Sequence, residues 1–525
     1  MMYWGHRWSS CSRSIRLAVI AAVVGSGGMA AWAIVTNLTI VAAVHEPAAE
    51  HHNQFDLLSE GFAEVFEAGD EIFQTTFNAL DGVGANVGDG QRFTRVPRAD
   101  LNGPGQWATH TPSRATGPNA QACNACHNTP GDDGSGGSAA NVHRDPQHSG
   151  RLDHFIQRNT PHLFGAGAVQ RLAEEMTADL QQIRNGVIAQ ACAGLLGNTK
   201  SAALITKKVR FGSITAKRVS SGNVCPTMPS RRYALNSSNI QGVDTDLVIK
   251  PFQWKGSVKF IRDFNRGAAH NELGMQPVEL VGEGVDGDGD GVADEFTIGD
   301  QTALAVYVAG QPRPVTRREL AELGLIPPLS AEEITAIQDG NARFHAIGCD
   351  TCHRPVLELD DAIFTEPSQS PNYRDTVFPA GQDPVAEGVD PNRPIEFDLT
   401  QDIQENRIVV GGTTIALGNH VSNGSGGALI ALYGDLRRHF MGPGLAERID
   451  EVGTGAATFM TRNLWGIGTT APYLHDGRAT TLTEAILEHG GEAADSRNAF
   501  AALAPPSQRE LIAFLNDLVL YKPEQ

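Results

Sequence analysis

Two Cys-x-x-Cys-His runs carry the chemistry of this chain: Cys123-Asn124-Ala125-Cys126-His127 and Cys349-Asp350-Thr351-Cys352-His353. At this spacing two thiols can add across the two vinyl groups of one porphyrin, and the adjacent imidazole can bind its iron. A pair of half zinc sites sharing four thiolates would use the same cysteines, but a zinc ribbon has no need of a His directly after the second Cys. The run occurs twice, so two covalently bound c-type haems are expected, with His127 and His353 as proximal ligands. A third pattern, Val285-Asp286-Gly287-Asp288-Gly289-Asp290-Gly291-Val292-Ala293-Asp294, alternates carboxylates with glycines. Asp286, Asp288, Asp290 and Asp294 could surround a calcium ion with hard oxygens, or they could form a solvated acidic loop. The closing Glu of an EF-hand is absent, because Thr297 stands there.

These groups must be positioned by a chain of 525 residues with 57 Gly, 28 Pro and a formal charge of −19. The length allows two or more domains, and the Gly and Pro content predicts long loops. The negative charge argues against nucleic acid and anionic membranes as partners. It suits a basic redox protein or a small uncharged substrate. Arg7, Arg13 and Arg16 precede an apolar stretch from about Leu17 to Val44, the order of an export signal. Residues 1–46 are therefore expected to be a signal peptide or a retained membrane anchor, with the rest of the chain periplasmic. Cys192 and Cys225 are then either a disulfide or two buried thiols.

Phe55, Leu57, Leu58, Phe62, Val65 and Phe66 recur at helical spacing within residues 50–82, and residues 166–186 also read as helix. Residues 200–250 alternate Val, Ile and Thr with basic residues and have few matches to either template, so short strands and extended loop both stand open. Ser330-Ala331-Glu332-Glu333 is a capping box that starts a helix carrying Gly340 and Phe344 into the second motif. Ser507-Gln508-Arg509-Glu510 is another, followed by the stripe Leu511, Phe514, Leu515 and Leu518. In cytochrome c domains the first and last helices cross at such a Gly/aromatic contact. The expected architecture is mainly α, with long irregular loops and few short strands: an N-terminal cytochrome c-like haem domain over 47–311 and a C-terminal one over 312–525.

Arg462-Asn463-Leu464-Trp465-Gly466-Ile467-Gly468, then Ala471-Pro472-Tyr473-Leu474-His475-Asp476-Gly477-Arg478, then Ile486-Leu487-Glu488-His489-Gly490-Gly491-Glu492-Ala493, resembles the C-terminal signature of bacterial di-haem cytochrome c peroxidases. Within that superfamily the pattern resembles the di-haem oxidoreductase family, the branch also labelled thiol oxidoreductases. The resemblance implies electron transfer from the C-terminal haem to a catalytic N-terminal haem, and a small donor protein such as a cytochrome or cupredoxin. The oxidant would be hydrogen peroxide or another small molecule. An oxygenase acting at the same haem and a pure electron-transfer cytochrome are the alternatives.

The resemblance also implies a sixth iron ligand near the C-terminus. His489, Met460 and His439 are the candidates in that order, ahead of Met441 and His475. Phe252-Gln253-Trp254-Lys255-Gly256 through His270-Asn271-Glu272 resembles the peroxidase stretch leading to the catalytic acid. Glu272 is then the acid–base group, His270 an alternative base or ligand, and Trp254 an electron relay between the haems. Arg462 and Arg478 would pair with haem propionates.

Overall fold

The computed structural model describes residues 46–84, 93, 96–97, 112–220, 233–404 and 406–523. The expected signal or anchor lies almost wholly outside these residues, as does Cys225. Cys192 is disulfide-bonded. Met1–Pro47 is one unit and Ala48–Gln525 a second compact unit that contains both Cys-x-x-Cys-His motifs. No helix among the described residues is long and apolar enough to cross a membrane.

Each motif is framed by a pair of crossing helices. In the first half, α1 (Phe62–Gln74) buries Val65, Phe66, Gly69, Ile72 and Phe73 at three- and four-residue spacing. Residues 50–82 are not one helix: a short helix Gln54–Leu57 ends before Gly61, which precedes α1. After α2 (Ala166–Ala193) and α3 (Ile261–Ala268) comes α4 (Ile298–Ala309), whose N-terminus is closed by a reciprocal Thr297/Asp300 capping box. α1 and α4 approach so closely at Gly69 that a β-carbon there would lie 2.2 Å from the Ala303 carbonyl oxygen. Only a glycine allows that crossing. Phe73 packs against Tyr307 with ring centroids 5.3 Å apart.

The second half repeats the frame. α5 (Ala331–Ala346) begins at the expected Ser330/Glu333 capping box. α6 (Leu482–Glu488) and α7 (Pro505–Asp517) follow, α7 starting at Pro505 rather than at Ser507 because proline is preorganised for the first helical turn. A β-carbon on Gly340 would lie 1.9 Å from the Glu510 carbonyl oxygen, and Phe344 meets Phe514 at 5.3 Å.

The mainly α expectation is overturned. Helix accounts for 32% and strand for 17%, the strands lying in many small sheets, and loops dominate. The stretch with few matches to either template, 200–250, holds the antiparallel sheet β1 (Thr199–Thr206), β2 (Val209–Arg218) and β3 (Tyr233–Asn236). β2 alternates buried Val209, Phe211, Ile214 and Ala216 with more exposed residues, the pattern of a sheet with one covered face. Two further antiparallel pairs bear on the site. β4 (Val315–Thr316) pairs with β7 (Leu518–Val519), tying the C-terminal end to the start of the second half. β5 (Arg438–Phe440) pairs with β6 (Thr458–Met460). The main apolar core draws on both halves, from Leu57 to Trp465, and a second cluster surrounds α5 and α7.

Candidate functional site

Both motifs adopt the same local turn. Cys123–Ala125 and Cys349–Thr351 are single 3₁₀ turns, and His127 N and His353 N donate to Cys123 O at 3.2 Å and to Cys349 O at 3.0 Å. None of the four cysteines is in a disulfide. His127 Nδ1 lies 3.2 Å from Gly134 O, and His353 Nδ1 lies 3.2 Å from Tyr433 O. A backbone acceptor on Nδ1 sets the tautomer that presents Nε2 to a metal, the usual support of a ligating imidazole. Burial lowers the pKa of both rings to about 4, so both are neutral, as ligation requires.

The loop behind His127 is clamped from a distance. Asp133, fully buried, accepts from Tyr307 OH at 2.8 and 2.9 Å and from Lys522 Nζ at 2.7 Å. Burial raises its carboxyl to about 7 against the opposing pull of Lys522.

Opposite His353 stands His489. Their ring centroids are 6.4 Å apart. Two imidazoles sharing one metal, with bonds of about 2 Å and about 1.1 Å more from each nitrogen to its ring centre, should lie about 6 Å apart. His489 Nδ1 is 2.7 Å from Ala485 O, again leaving Nε2 as the ligating atom. His439 is placed differently. Its Nε2 is 2.9 Å from Asp435 and its Nδ1 2.9 Å from Glu492. Burial opposes its charge, but the bonds to Asp435 and Cys352 hold its pKa up to about 10. Both nitrogens of His439 are thus engaged by carboxylates, unlike those of His489. Met460 packs on the other hairpin: a β-carbon on Gly256 would meet its Sδ at 2.6 Å.

A cavity of about 320 Å³ runs from Cys349, Cys352, His353 and His489 to Trp254, Arg462 and His162. Its walls suit a porphyrin. Arg462 is half-buried, loss of solvent around its guanidinium lowers its pKa to about 10, and among the described residues no carboxylate pairs with it. Its guanidinium instead lies 4.5 Å from the Trp254 ring centre, where a porphyrin carboxylate could reach it. Arg478 is already paired, with Asp476 at 2.7 Å. Arg497 also lines the cavity, with a buried Nε that has no partner. That residue carries no local pattern that would single it out in the sequence.

Between the motifs two hairpins face each other. Pro251-Phe252-Gln253-Trp254-Lys255-Gly256 and Pro472-Tyr473-Leu474-His475-Asp476-Gly477 share one backbone. Phe252 N donates to Val258 O and Tyr473 N to Ala479 O, while Gly256 N reaches Gln253 O and Gly477 N reaches Leu474 O, both at 3.2 Å. Gln253 and Leu474 both have positive φ (63° and 72°), as do Gly256 and Gly477 (60° and 67°). Trp254 and His475, at the same place in each hairpin, meet edge to face at 6.5 Å. Asn159 joins them, accepting from Trp254 Nε1 and donating its N–H to His475 O.

Glu272 sits in a π-helical turn, Ala269–Leu273, that continues α3. Its carbonyl accepts from Asn119 N and Ala120 N, so the turn lies against the segment entering Cys123. Burial raises the Glu272 carboxyl to about 7, with Arg144 and Asn119 opposing, and Oε2 is buried without a partner. His270 is held between Met275 O and Pro112 O, both at 3.3 Å. In the acidic loop Asp286, Asp288 and Asp290 each bring an oxygen within 4.8 Å of the others. Asp294 turns away to accept from Gly284 N at 2.6 Å.

Residues 407–518 match the family described as "Di-haem oxidoreductase, putative peroxidase". This segment carries His439, Met460, Arg462, His475 and His489, and it contains neither Cys-x-x-Cys-His run. A comparison with curated proteins finds no match. Among solved structures the chain is similar to one titled "Crystal structure of a MauG-like protein associated with microbial copper homeostasis", at 15% identity and a TM-score of 0.26. The likeness covers 54% of this chain and 76% of that one.

Proposed function

We propose that this chain is a c-type di-haem oxidoreductase of peroxidase type, exported to the periplasm, that reduces hydrogen peroxide or another small oxidant. Held through Cys123, Cys126 and His127 and through Cys349, Cys352 and His353, two haems would supply its one-electron chemistry, one as an open centre and one as a carrier. The supporting observation is an asymmetry. His353 faces a second imidazole at 6.4 Å, whereas among the described residues the ring in contact with His127 is Phe73, at 6.0 Å, and the imidazole of His162 is near enough only to feel its charge.

Reduction of one peroxide to two waters takes two electrons and two protons. Glu272, held near neutrality by burial, is suited to take a proton from one peroxide oxygen and return it to the other. Trp254, hydrogen-bonded to Asn159 and lying under Arg462, would serve as the electron relay. The charge of −19 suits a small basic donor such as a cytochrome or cupredoxin.

The test is low-temperature EPR of the oxidised protein, repeated after one-electron reduction, followed by peroxide and oxygen turnover. One high-spin iron, at rest or on half-reduction, together with peroxide turnover is expected. Two low-spin irons in both states would make the chain an electron carrier, and turnover with oxygen alone would make it an oxygenase.

A further inference from the structure

Tyr307, on α4, is unused by the chemistry above. It is wholly buried, and its hydroxyl donates to the equally buried Asp133, 2.9 Å from Oδ1 and 2.8 Å from Oδ2. Two short paths join it to the first motif. Its ring packs on Phe73 at 5.3 Å between centroids, and Phe73 lies 6.0 Å from the His127 ring. Asp133 is bonded to Gly134, whose carbonyl oxygen is 3.2 Å from His127 Nδ1. Other tyrosines differ in what their hydroxyls meet. Tyr373 OH donates to Ile249 O at 2.7 Å and Tyr473 OH to Ile467 O at 3.2 Å, and a backbone carbonyl cannot keep a proton.

Loss of an electron makes a phenol proton strongly acidic, so a tyrosine is oxidised most easily where a base takes that proton in the same step. Asp133 is such a base. Burial holds its carboxyl at about 7 against the pull of Lys522, well above an ordinary carboxylate. The Lys522 charge opposes removal of an electron, but its 2.7 Å bond fixes the acceptor in place, and Asp132 stands 3.8 Å away to offset it.

We propose that Tyr307 is a redox-active side chain that gives one electron to the centre held by His127 while its hydroxyl proton passes to Asp133. The phenolic O–H bond breaks, a carboxylic O–H bond forms, and Tyr307 is left as a neutral radical shielded from water. Peroxide is the oxidant. Its reduction to two waters takes two electrons, one from Tyr307 and the other from the centre itself. An electron from the donor protein and the proton from Asp133 then restore the phenol. Tyr307 thus lets the first motif finish a reduction before an electron has arrived from the second.

The oxidant rests on the peroxidase reading, so a second oxidant is used to separate the two failures. Full-length haem-loaded protein, oxidised and half-reduced, is mixed with hydrogen peroxide, rapidly frozen and examined by EPR, with ring-deuterated tyrosine to identify the radical. The same protein is oxidised without peroxide by a flash-generated ruthenium complex. A tyrosyl radical is expected with both oxidants. It should be lost in Tyr307→Phe, which removes only the hydroxyl, and should form about 10²-fold more slowly in Asp133→Asn, whose amide is no base. Circular dichroism and the haem spectrum report folding, and if Asp133→Asn does not fold, Tyr307→Phe decides. Where peroxide is consumed, absence of a tyrosyl radical, or its persistence in Tyr307→Phe, would overturn the inference. Where peroxide is not consumed, the peroxidase reading falls and the flash decides. A radical lost in Tyr307→Phe then keeps the redox role, and no radical ends it.

Discussion

The two motif regions share a frame and differ in their filling. In each, a helix with glycine and phenylalanine four residues apart crosses a later helix, Gly69 and Phe73 against Tyr307, Gly340 and Phe344 against Phe514. In each, the motif His rests its Nδ1 on a carbonyl at 3.2 Å. The difference lies around the imidazole. The second region sets His489 opposite His353, and the first offers a buried, unsatisfied carboxyl near its motif. On the proposed reading, a repeated frame would hold two irons alike and still give them different work, because the sixth ligand and the proton donor would come from outside the frame.

The comparison breaks most visibly at Glu272. Glu272→Gln should lower peroxide turnover by about 10²- to 10⁴-fold. In the wild type the base is ionised only above about pH 7, so kcat/KM should rise through that pH, and the variant's profile should lose that limb. A profile that keeps the limb would move the acid–base role elsewhere. His489→Ala should erase the asymmetry from the other side, turning the second iron from low-spin to high-spin by EPR. His439→Ala should leave the spin state alone, since both its nitrogens serve carboxylates.

Gly69→Ala and Gly340→Ala test whether the two frames are equivalent. Each new methyl meets a carbonyl oxygen head on, and each should cost about 1–3 kcal/mol in urea unfolding. Tolerance of one and not the other would show that the crossings are matched only in outline. Lys522→Met probes a contact found only in the first region. Loss of a charge-assisted bond to Asp133 should cost about 1.5–3 kcal/mol. The Asp133 carboxyl titrates near 7 when folded against 3.8 ordinarily. Its protonation therefore favours the fold fully below about pH 4, and that stability is lost as the pH rises through 7. Without Lys522 the folded value should climb further, so melting temperatures should diverge most above neutrality.

Much of the second region was legible because its parts are close in sequence. Gly340, Phe344 and Cys349 fall within ten residues, and the Ser330/Glu333 box announces the helix. His489 could be ranked first because a signature surrounds it. In the first region Phe73 and Cys123 stand 50 positions apart, so the same frame left no contiguous pattern, and α4 reads as an apolar run without helical periodicity because it is buried on nearly every side. The paired hairpins were hidden for another reason. Their likeness lies in backbone angles at Gln253 and Leu474, which residue type does not announce, and in Trp254 and His475, which share a place but not a chemistry. Over 199–236 the alternation of Val, Ile and Thr with basic residues allowed strands or extended loop, and periodicity alone could not choose between them.

Lys522 lies three residues from the end of the chain and grips Asp133, next to the carbonyl that steadies His127. The clasp joins residues 389 positions apart. During synthesis Asp133, in the loop of the N-terminal motif, emerges 389 residues before Lys522, so that loop must wait for its clasp. The second motif has no comparable wait, because Tyr433, whose carbonyl steadies His353, follows it by only 80 residues.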